Sequence, residues 1–388
     1  MTKVRVIVFV LTILIVGTVG TLASLYARGY RFNPKTTAIE PRGILVANSD
    51  PNGAAILIDG DLKTATNANI PLPPGTYDVT IKKDGLITWN KRLTIKKEEV
   101  TQIEVSLFPQ AASLSAITFS GASNPIASTD LTKVAYAVSV DPQNLESGGL
   151  WVTDISAFPF GFSREPAQVT DGDASESSWL WSPDGREILL TTKTGAFLLD
   201  SGKFTPQAQR VNVSSQKKEI LADWQQRETL KTKAKLNKLP DEIRQVFESA
   251  TQNITFSPDE NKILYTAVSE NSLPEGIIPP LPGSSTQKQT RDIKIGNKYI
   301  FDIKEDRNFE IAKATQPVFW FPTSSHVVIP EPNKVYITDY DGTNRQSVYS
   351  GQYVAPHAYP FSNTSKLLIL TSLGATDTAP NLYTLNLK

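Results

Sequence analysis

The sequence predicts a mainly β protein. An N-terminal transmembrane helix leads to a small β-sandwich, then to a β-propeller of about five blades with a helical insertion. Three observations predict it. Val6 to Tyr26 is apolar and uncharged. Residues 43–108 alternate apolar and polar positions between turn signals. A turn-then-strand pattern returns five times between Ser128 and the end of the chain.

Length and composition narrow the classes. A chain of 388 residues suits two or three domains. Lysine plus arginine and aspartate plus glutamate both count 39, so no net field draws the chain to nucleic acid. There is no cysteine, which excludes disulfide frameworks, thiolate zinc or iron–sulfur sites and cysteine nucleophiles. The only histidines are His326 and His357.

The segment from Val6 to Tyr26 is long enough for a membrane helix. At 1.5 Å per residue it extends about 31 Å, matching a hydrocarbon core of about 30 Å. Lys3 and Arg5 precede it; Arg28, Arg31 and Lys35 follow it, so flanking charge does not set the orientation. A cleaved leader is the rival reading, with Thr21 and Ala23 as a small-x-small site before Ser24. The length of the run and the Tyr26–arginine flank favour an uncleaved anchor. Residues 1–30 are therefore read as anchor with a short cytoplasmic end. Residues 31–42, with Pro34 and Pro41, are read as an extended linker.

Residues 43–108 read as six or seven short strands in a compact antiparallel sandwich. Turns fall at Ser49-Asp-Pro-Asn-Gly, Asp59-Gly60, Leu72-Pro-Pro-Gly and Lys83-Asp-Gly. The stretch resembles the PEGA domain through Pro51-Asn52-Gly53-Ala54, Ile58-Asp59-Gly60, Leu72 to Tyr77, Lys83-Asp84-Gly85 and Trp89. Asn52 stands where that family has Glu. The resemblance implies an extracytoplasmic, often membrane-tethered accessory module without catalytic residues.

Residues 109–388 carry the repeats. The sharpest are Trp181-Ser-Pro-Asp-Gly before Glu187 to Thr191, and Phe256-Ser-Pro-Asp-Glu before Lys262 to Thr266. Related segments begin at Ser128, Trp320 and Pro360. Each is followed by a second strand ending near Asp154, Asp200, Asp302, Asp339 or Asn386. Proline pre-sets the turn, aspartate bonds its own backbone, and the strand is apolar on both faces because blades stack. These segments resemble TolB-like and WD-repeat propeller blades, which implies the fold and not an activity. The stretch Leu114 to Phe119 is expected to close the ring by joining the last blade. A sixth, degenerate blade remains an alternative.

Two insertions interrupt the pattern. Residues 217–250 read as a helical hairpin, with Ile220, Leu221, Trp224 and Leu230 at helical spacing and Pro240-Asp-Glu opening a second helix. Residues 271–289 read as a Pro/Ser-rich loop, with Ile277 and Ile278 tucked against a blade.

No catalytic, cofactor-binding or metal-binding residue emerges. The sequence has no nucleophile elbow, zinc-helix motif, P-loop or dinucleotide fingerprint. Asp171, Asp173 and Ser175 alternate as calcium-loop oxygens do, but the mid-loop glycine and terminal acid are missing, so a plain turn is the better reading. Trp179 and Trp181 are read as core, His326 and His357 as structural, and Lys231, Lys233, Lys235 and Lys238 as a solvated helix face. The expected protein is a single-pass, extracytoplasmic membrane scaffold without enzymatic activity. It needs no cofactor, meets the membrane through Val6–Tyr26, and offers the propeller to a protein, peptide or glycan. A carboxylate hydrolase at the propeller mouth is the alternative.

Overall fold

The computed structural model describes residues 3–27, 29–33, 38–141, 147–156, 165–279, 285, 287–375 and 378–388. Pro34, Arg28, Lys35 and residues 280–284 of the Pro/Ser-rich loop lie outside them. The chain divides into two compact units. One holds Met1–Leu107 with Pro280–Lys288; the other holds Phe108–Pro279 with Gln289–Lys388.

Helix α1 (Lys3–Ala27) buries no side chain. Three hydroxyls along it bond back to the carbonyl four residues earlier: Thr12 to Val8 and Thr21 to Gly17 at 2.8 Å, Thr18 to Leu14 at 2.7 Å. Its last turn is met by Arg31, whose guanidinium lies 3.7 Å from the Tyr26 ring centroid and donates to the Tyr26 carbonyl. The stretch expected as a plain linker instead pairs with itself, β1 (Arg31–Asn33) running antiparallel to β2 (Ala38–Glu40).

The sandwich has seven strands: β3 (Gly43–Asp50), β4 (Ala55–Ile58), β5 (Asp61–Ala65), β6 (Ala68–Leu72), β7 (Gly75–Lys82), β8 (Trp89–Ile95) and β9 (Val100–Ser106). They form sheets of order β6-β3-β9 and β5-β4-β7-β8. The expectation of a wholly antiparallel module needs one correction, because β9 runs parallel to β3 from Ile44/Val100 to Asp50/Ser106. After the β7–β8 hairpin the chain crosses to the other sheet, and a strand returning by crossover can enter in the same direction as its neighbour. Alternate residues face one core: Leu45 and Ala47, Ile56 and Ile58, Val79 and Ile81, Leu93 and Ile95, Ile103 and Val105. Gly43 is obligatory, since a Cβ there would collide with the Lys96 carbonyl oxygen and the Ile95 side chain.

The second unit is built from sheets of the propeller type. Strand β10 (Ser113–Ala116) comes first in sequence and is used last. The first blade is β11 (Ser123–Ala127), β12 (Lys133–Val138), β13 (Gly149–Asp154) and β14 (Ala167–Asp171). The second is β15 (Ser178–Trp181), β16 (Glu187–Thr192) and β17 (Gly195–Asp200), its outer edge touched by one bridge between Phe197 and Asn212. Helices α2 (Lys217–Leu236) and α3 (Asp241–Ala250) follow. The third blade is β18 (Thr251–Phe256), β19 (Lys262–Ala267), β22 (Asn297–Asp302) and β23 (Arg307–Lys313). Within it the short pair β20 (Asn271–Ser272) and β21 (Asp292–Ile293) closes the neck of the loop insertion. The fourth is β24 (Phe319–Trp320), β25 (His326–Glu331), β26 (Lys334–Asp339) and β27 (Gln346–Ser350). The fifth is β28 (Ala358–Pro360), β29 (Lys366–Thr371) and β30 (Asn381–Asn386), completed by β10 from the start of the unit, Ser113 opposite Asn386.

Successive blades stack through shared cores. Ala135 and Ala137 of the first meet Trp179 and Trp181 of the second. Leu264 and Ile300 of the third meet Trp320 and Val327 of the fourth. Tyr136 and Val138 of the first meet Leu368 and Leu370 of the fifth, which closes the circuit. Between the second and third blades stands the helix pair. Leu189 and Ala196 pack on Trp224 of α2, while Ile263 and Tyr265 pack on Phe247, Val246 and Ile243 of α3. Of the residues read at helical spacing in α2, Leu230 is exposed and Trp224 is buried, as is Leu236. Of the two loop isoleucines, Ile278 packs against the third blade's core and Ile277 is exposed.

The turn between the first two strands of a blade repeats at the level of atoms. Ser128, Ser182 and Ser257 donate to Asp130, Asp184 and Asp259 at 2.6, 2.7 and 2.6 Å. The same hydroxyls accept the N–H of Lys133, Glu187 and Lys262 at 3.1, 2.9 and 2.9 Å. The residue before each turn reports its neighbour. Trp181 Nε1 donates to the Ile126 carbonyl of the preceding blade at 2.9 Å, and Trp320 Nε1 to Thr255 at 3.3 Å. In the third blade the preceding element is helical, and the position is Phe256, which needs no acceptor and lies under the Lys235 ammonium at 5.0 Å. Trp181→Phe keeps the ring and deletes the inter-blade hydrogen bond. We expect a loss of about 1 kcal/mol, read as a lower urea midpoint with unchanged slope, whereas Phe256→Trp gains nothing.

Candidate functional site

A propeller usually binds through what its innermost strands present along the axis. They are β11, β15, β18, β24 and β28, and none of them carries a charged residue. Counting back four residues from the first turn residue of each blade, Ser128, Ser182, Ser257, Phe321 and Phe361, gives Asn124, Ser178, Asn253, Pro317 and His357. Asn124 and Asn253 are alike in conformation as well as in position. Both adopt left-handed φ, 48° and 54°, and both sit where the pairing to the second strand slips. Asparagine tolerates that region better than most residues, and a bulge of this kind re-aims a side chain. Both asparagines are exposed.

The inner wall is uneven. In the first three blades Asn124, Ser178, Leu180, Gln252, Asn253 and Thr255 are exposed, and Leu180 reaches 51% although Trp179 and Trp181 on either side are buried. In the fourth and fifth blades Trp320, Ala358, Tyr359 and Pro360 are buried. His357 borders this closed side. Its Nδ1 lies 3.1 Å from Tyr359 Oη, which donates to the Pro125 carbonyl at 2.8 Å. Burial pulls the His357 pKa below its usual value, against a smaller opposing effect of a backbone hydrogen bond with Pro125.

The other singled-out residues sit apart from this wall. His326 opens β25, buried between Phe108 and Phe321, with Nδ1 2.7 Å from Thr323 Oγ1 and Nε2 3.5 Å from Asp339. That pairing repeats a blade rule, in which the residue opening the second strand faces the acid closing the third. Lys262 meets Asp302 at 3.5 Å in the preceding blade. Asp171 accepts the Gln207 N–H, and Asp173 accepts the backbone and hydroxyl of Ser175 at 2.9 and 2.6 Å, which lowers its pKa. Among the described residues no group of three histidine, aspartate or glutamate side chains is placed to hold a metal. Lys235 and Lys238 both pair with Glu260, at 2.9 and 3.7 Å; Lys231 and Lys233 are exposed. The shared position of Asn124, Ser178 and Asn253 escaped the sequence reading, yet a fixed offset from the Ser-x-Asp turns would have found it.

Residues 42–111 match the PEGA domain. No curated protein matches the chain by sequence. Among solved structures, the chain is similar to TolB from Acinetobacter baumannii at 11% identity and a TM-score of 0.21, covering 89% of this chain and 63% of that one. It is similar to the β-propeller domain of the Trilobed protease from Pyrococcus furiosus at 10% and 0.22, covering 89% and 95%. The oligogalacturonate lyase of Vibrio parahaemolyticus matches at 10% and 0.22, covering 89% and 90%. The chain thus spans less than two thirds of the first of these structures.

The lowered His357 pKa has a defined sign. A histidine held neutral by the fold contributes stability above its unfolded pKa of about 6.5, and that contribution is lost as pH falls through the folded value. Denaturation midpoints measured between about pH 5 and pH 8 should fall on the acid side, and His357→Asn should flatten that slope. Parallel profiles for the two proteins would contradict the assignment.

Proposed function

We propose that this is a membrane-tethered, non-enzymatic binding protein whose body lies outside the cytoplasm and whose propeller engages a protein or peptide partner. The observation that carries the tether is α1. It is the one described helix long and apolar enough to cross a membrane, and it buries nothing in the protein. Three of its threonines return their hydroxyls to the helix backbone, which satisfies those donors in lipid. Arg31 on Tyr26 supplies the interfacial end. A PEGA domain immediately downstream favours an extracytoplasmic body.

The binding role rests on the inner wall. A glycoside or ester hydrolase of the carboxylate type needs two acids converging on the substrate. The five inner strands supply no carboxylate. His326, with Thr323 Oγ1 at 2.7 Å, is buried, and the hydroxyl 3.1 Å from His357 is that of the buried Tyr359, which donates to the Pro125 carbonyl. What the inner strands supply is hydroxyls, carboxamides and one exposed leucine, groups that bind and do not transfer protons at neutral pH.

The absence of cysteine makes the topology directly readable. Thr64→Cys, on an exposed strand of the sandwich, should react with a membrane-impermeant maleimide in intact cells. Lys3→Cys should react only after lysis, and its presence in the mature protein distinguishes an anchor from a removed leader. Labelling in the reverse order would place the body in the cytoplasm. Crosslinking in intact membranes should in addition trap a protein partner; a chain that is never trapped would count against a binding role.

A further inference from the structure

We infer that one end of the sandwich, carrying Arg42 and the Lys96-Lys97 turn between β8 and β9, lies on the membrane surface and binds the phosphates of anionic lipid headgroups. This rests on the membrane tether proposed above and holds for either orientation of the chain. The sandwich is seated on the end of α1. Gly29 and Tyr30 fold back onto the last turn of the helix, their N–H groups donating to the Tyr26 and Leu25 carbonyls at 3.1 and 3.0 Å. Two contacts run on from there. The Tyr30 hydroxyl donates to Glu98 of the β8–β9 turn at 2.7 Å. The Arg42 carbonyl accepts the Glu98 N–H at 3.1 Å, and a Cβ built on Gly29 would stand 3.1 Å from that same carbonyl oxygen.

The depth of this junction follows from the helix. Val6 to Tyr26 fills a hydrocarbon core of about 30 Å, which puts Tyr26 at its edge. The headgroup layer beyond is about 5–8 Å deep on each side. Gly29 stands in that layer, and Arg42 and Glu98 stand against Gly29. The strand register shows which end of the module is near. Gly43 faces Leu72, Gly75 faces Ile95, and Ile44 faces Val100. The Lys83-Asp84-Gly85 turn lies past Ile81 and Trp89, at the other end of the β7–β8 pair. The seven residues of β8 separate the two ends by roughly 20 Å.

The near end has the chemistry of a headgroup contact. Its cations are Arg31, Arg42, Lys96 and Lys97. Its acids are engaged inside the protein. Glu98 accepts the Tyr30 hydroxyl, Glu99 pairs with Lys96 at 3.7 Å, and Glu40 lies opposite Arg31 in the β1–β2 pair. Asp59, farther along the sheet, accepts the Asp78 N–H at 2.8 Å. Lys96 and Lys97 are exposed, and at the same end Pro73, Pro74 and Val100 are exposed, Val100 at 48%. A lysine beside apolar groups suits the boundary layer, where its ammonium meets phosphate and its stem lies on hydrocarbon. Continuity with the helix names the occupant, because the surface beside a bilayer-crossing helix is the bilayer.

The test exploits the absence of cysteine. Pro74→Cys marks the near end and Asp84→Cys the far end. Each full-length variant carries an environment-sensitive dye and is reconstituted into vesicles that hold a nitroxide quencher at headgroup level. The vesicles are phosphatidylcholine alone or an equal mixture with phosphatidylglycerol. The near-end label should be quenched about twofold or more over the far-end label, and more strongly in the mixture. Adding Lys96→Gln and Lys97→Gln to the near-end variant should remove the excess seen in the mixture. Thermal midpoints matching the parent's establish that each variant is folded. Equal quenching of the two labels, equal quenching in the two lipids, or an excess that survives the lysine substitutions would each overturn the inference. The tether is judged separately by flotation. A chain that floats with the vesicles but shows no difference between its labels keeps its anchor and loses this site; a chain that does not float loses both.

Discussion

The central strands of the propeller are buried on both faces, and this is the constraint on which the second unit depends. Strands such as β12, β16, β19, β25 and β29 have apolar residues pointing to either side. No blade can satisfy both of its faces alone, so each needs a neighbour on each side and the series has to close. Closure is made by β10 on β30 and by the core shared between the first and fifth blades. It is reinforced by Asn381, whose side-chain oxygen accepts both Thr118 and the Gly121 N–H at 3.0 Å. The helix pair answers the same demand by other means, presenting Trp224 to one sheet and Phe247 to the other.

Most of the architecture was legible because it is periodic. The long apolar helix announces itself by length and composition, the sandwich by alternation, and the first three blades by a turn whose serine and aspartate bond each other in the same way. Less legible was whatever depends on partners distant in sequence. Nothing local in Val100 to Ser106 says that it will lie parallel to β3. Leu230 has helical spacing yet is exposed, and the buried residues of α2 are Trp224 and Leu236. The ladder from Arg31 to Glu40 is too short to leave an alternation signal.

The candidate site was harder still. Single residues gave no hint of it, since Asn124, Ser178, Asn253 and His357 are four different environments in sequence. They become equivalent only when numbered from the turn of their own blade. The residues that draw attention in a linear reading, His326 and the aspartates near Asp171, are instead spent on the protein's own backbone and side chains. The site is thereby defined by chemistry it lacks as much as by chemistry it has.

The use of β10 as the last strand of the fifth blade has a mechanical side. The stretch that leads into β10 is itself fixed, because Phe108 packs edge-on to Phe321 and His326 at 5.9 and 6.0 Å, and Ser113 is paired with Asn386. A load arriving from the N-terminal side of this unit is met by the fourth blade before it reaches the clasp. The clasp is short, running from Ser113 to Ala116, but the hydrogen bonds of Thr118, Gly121 and Ala122 to the 380–382 stretch extend it past the strand itself. A strong pull would therefore have to free Phe108 from the fourth blade before it could peel the outermost strand of the fifth.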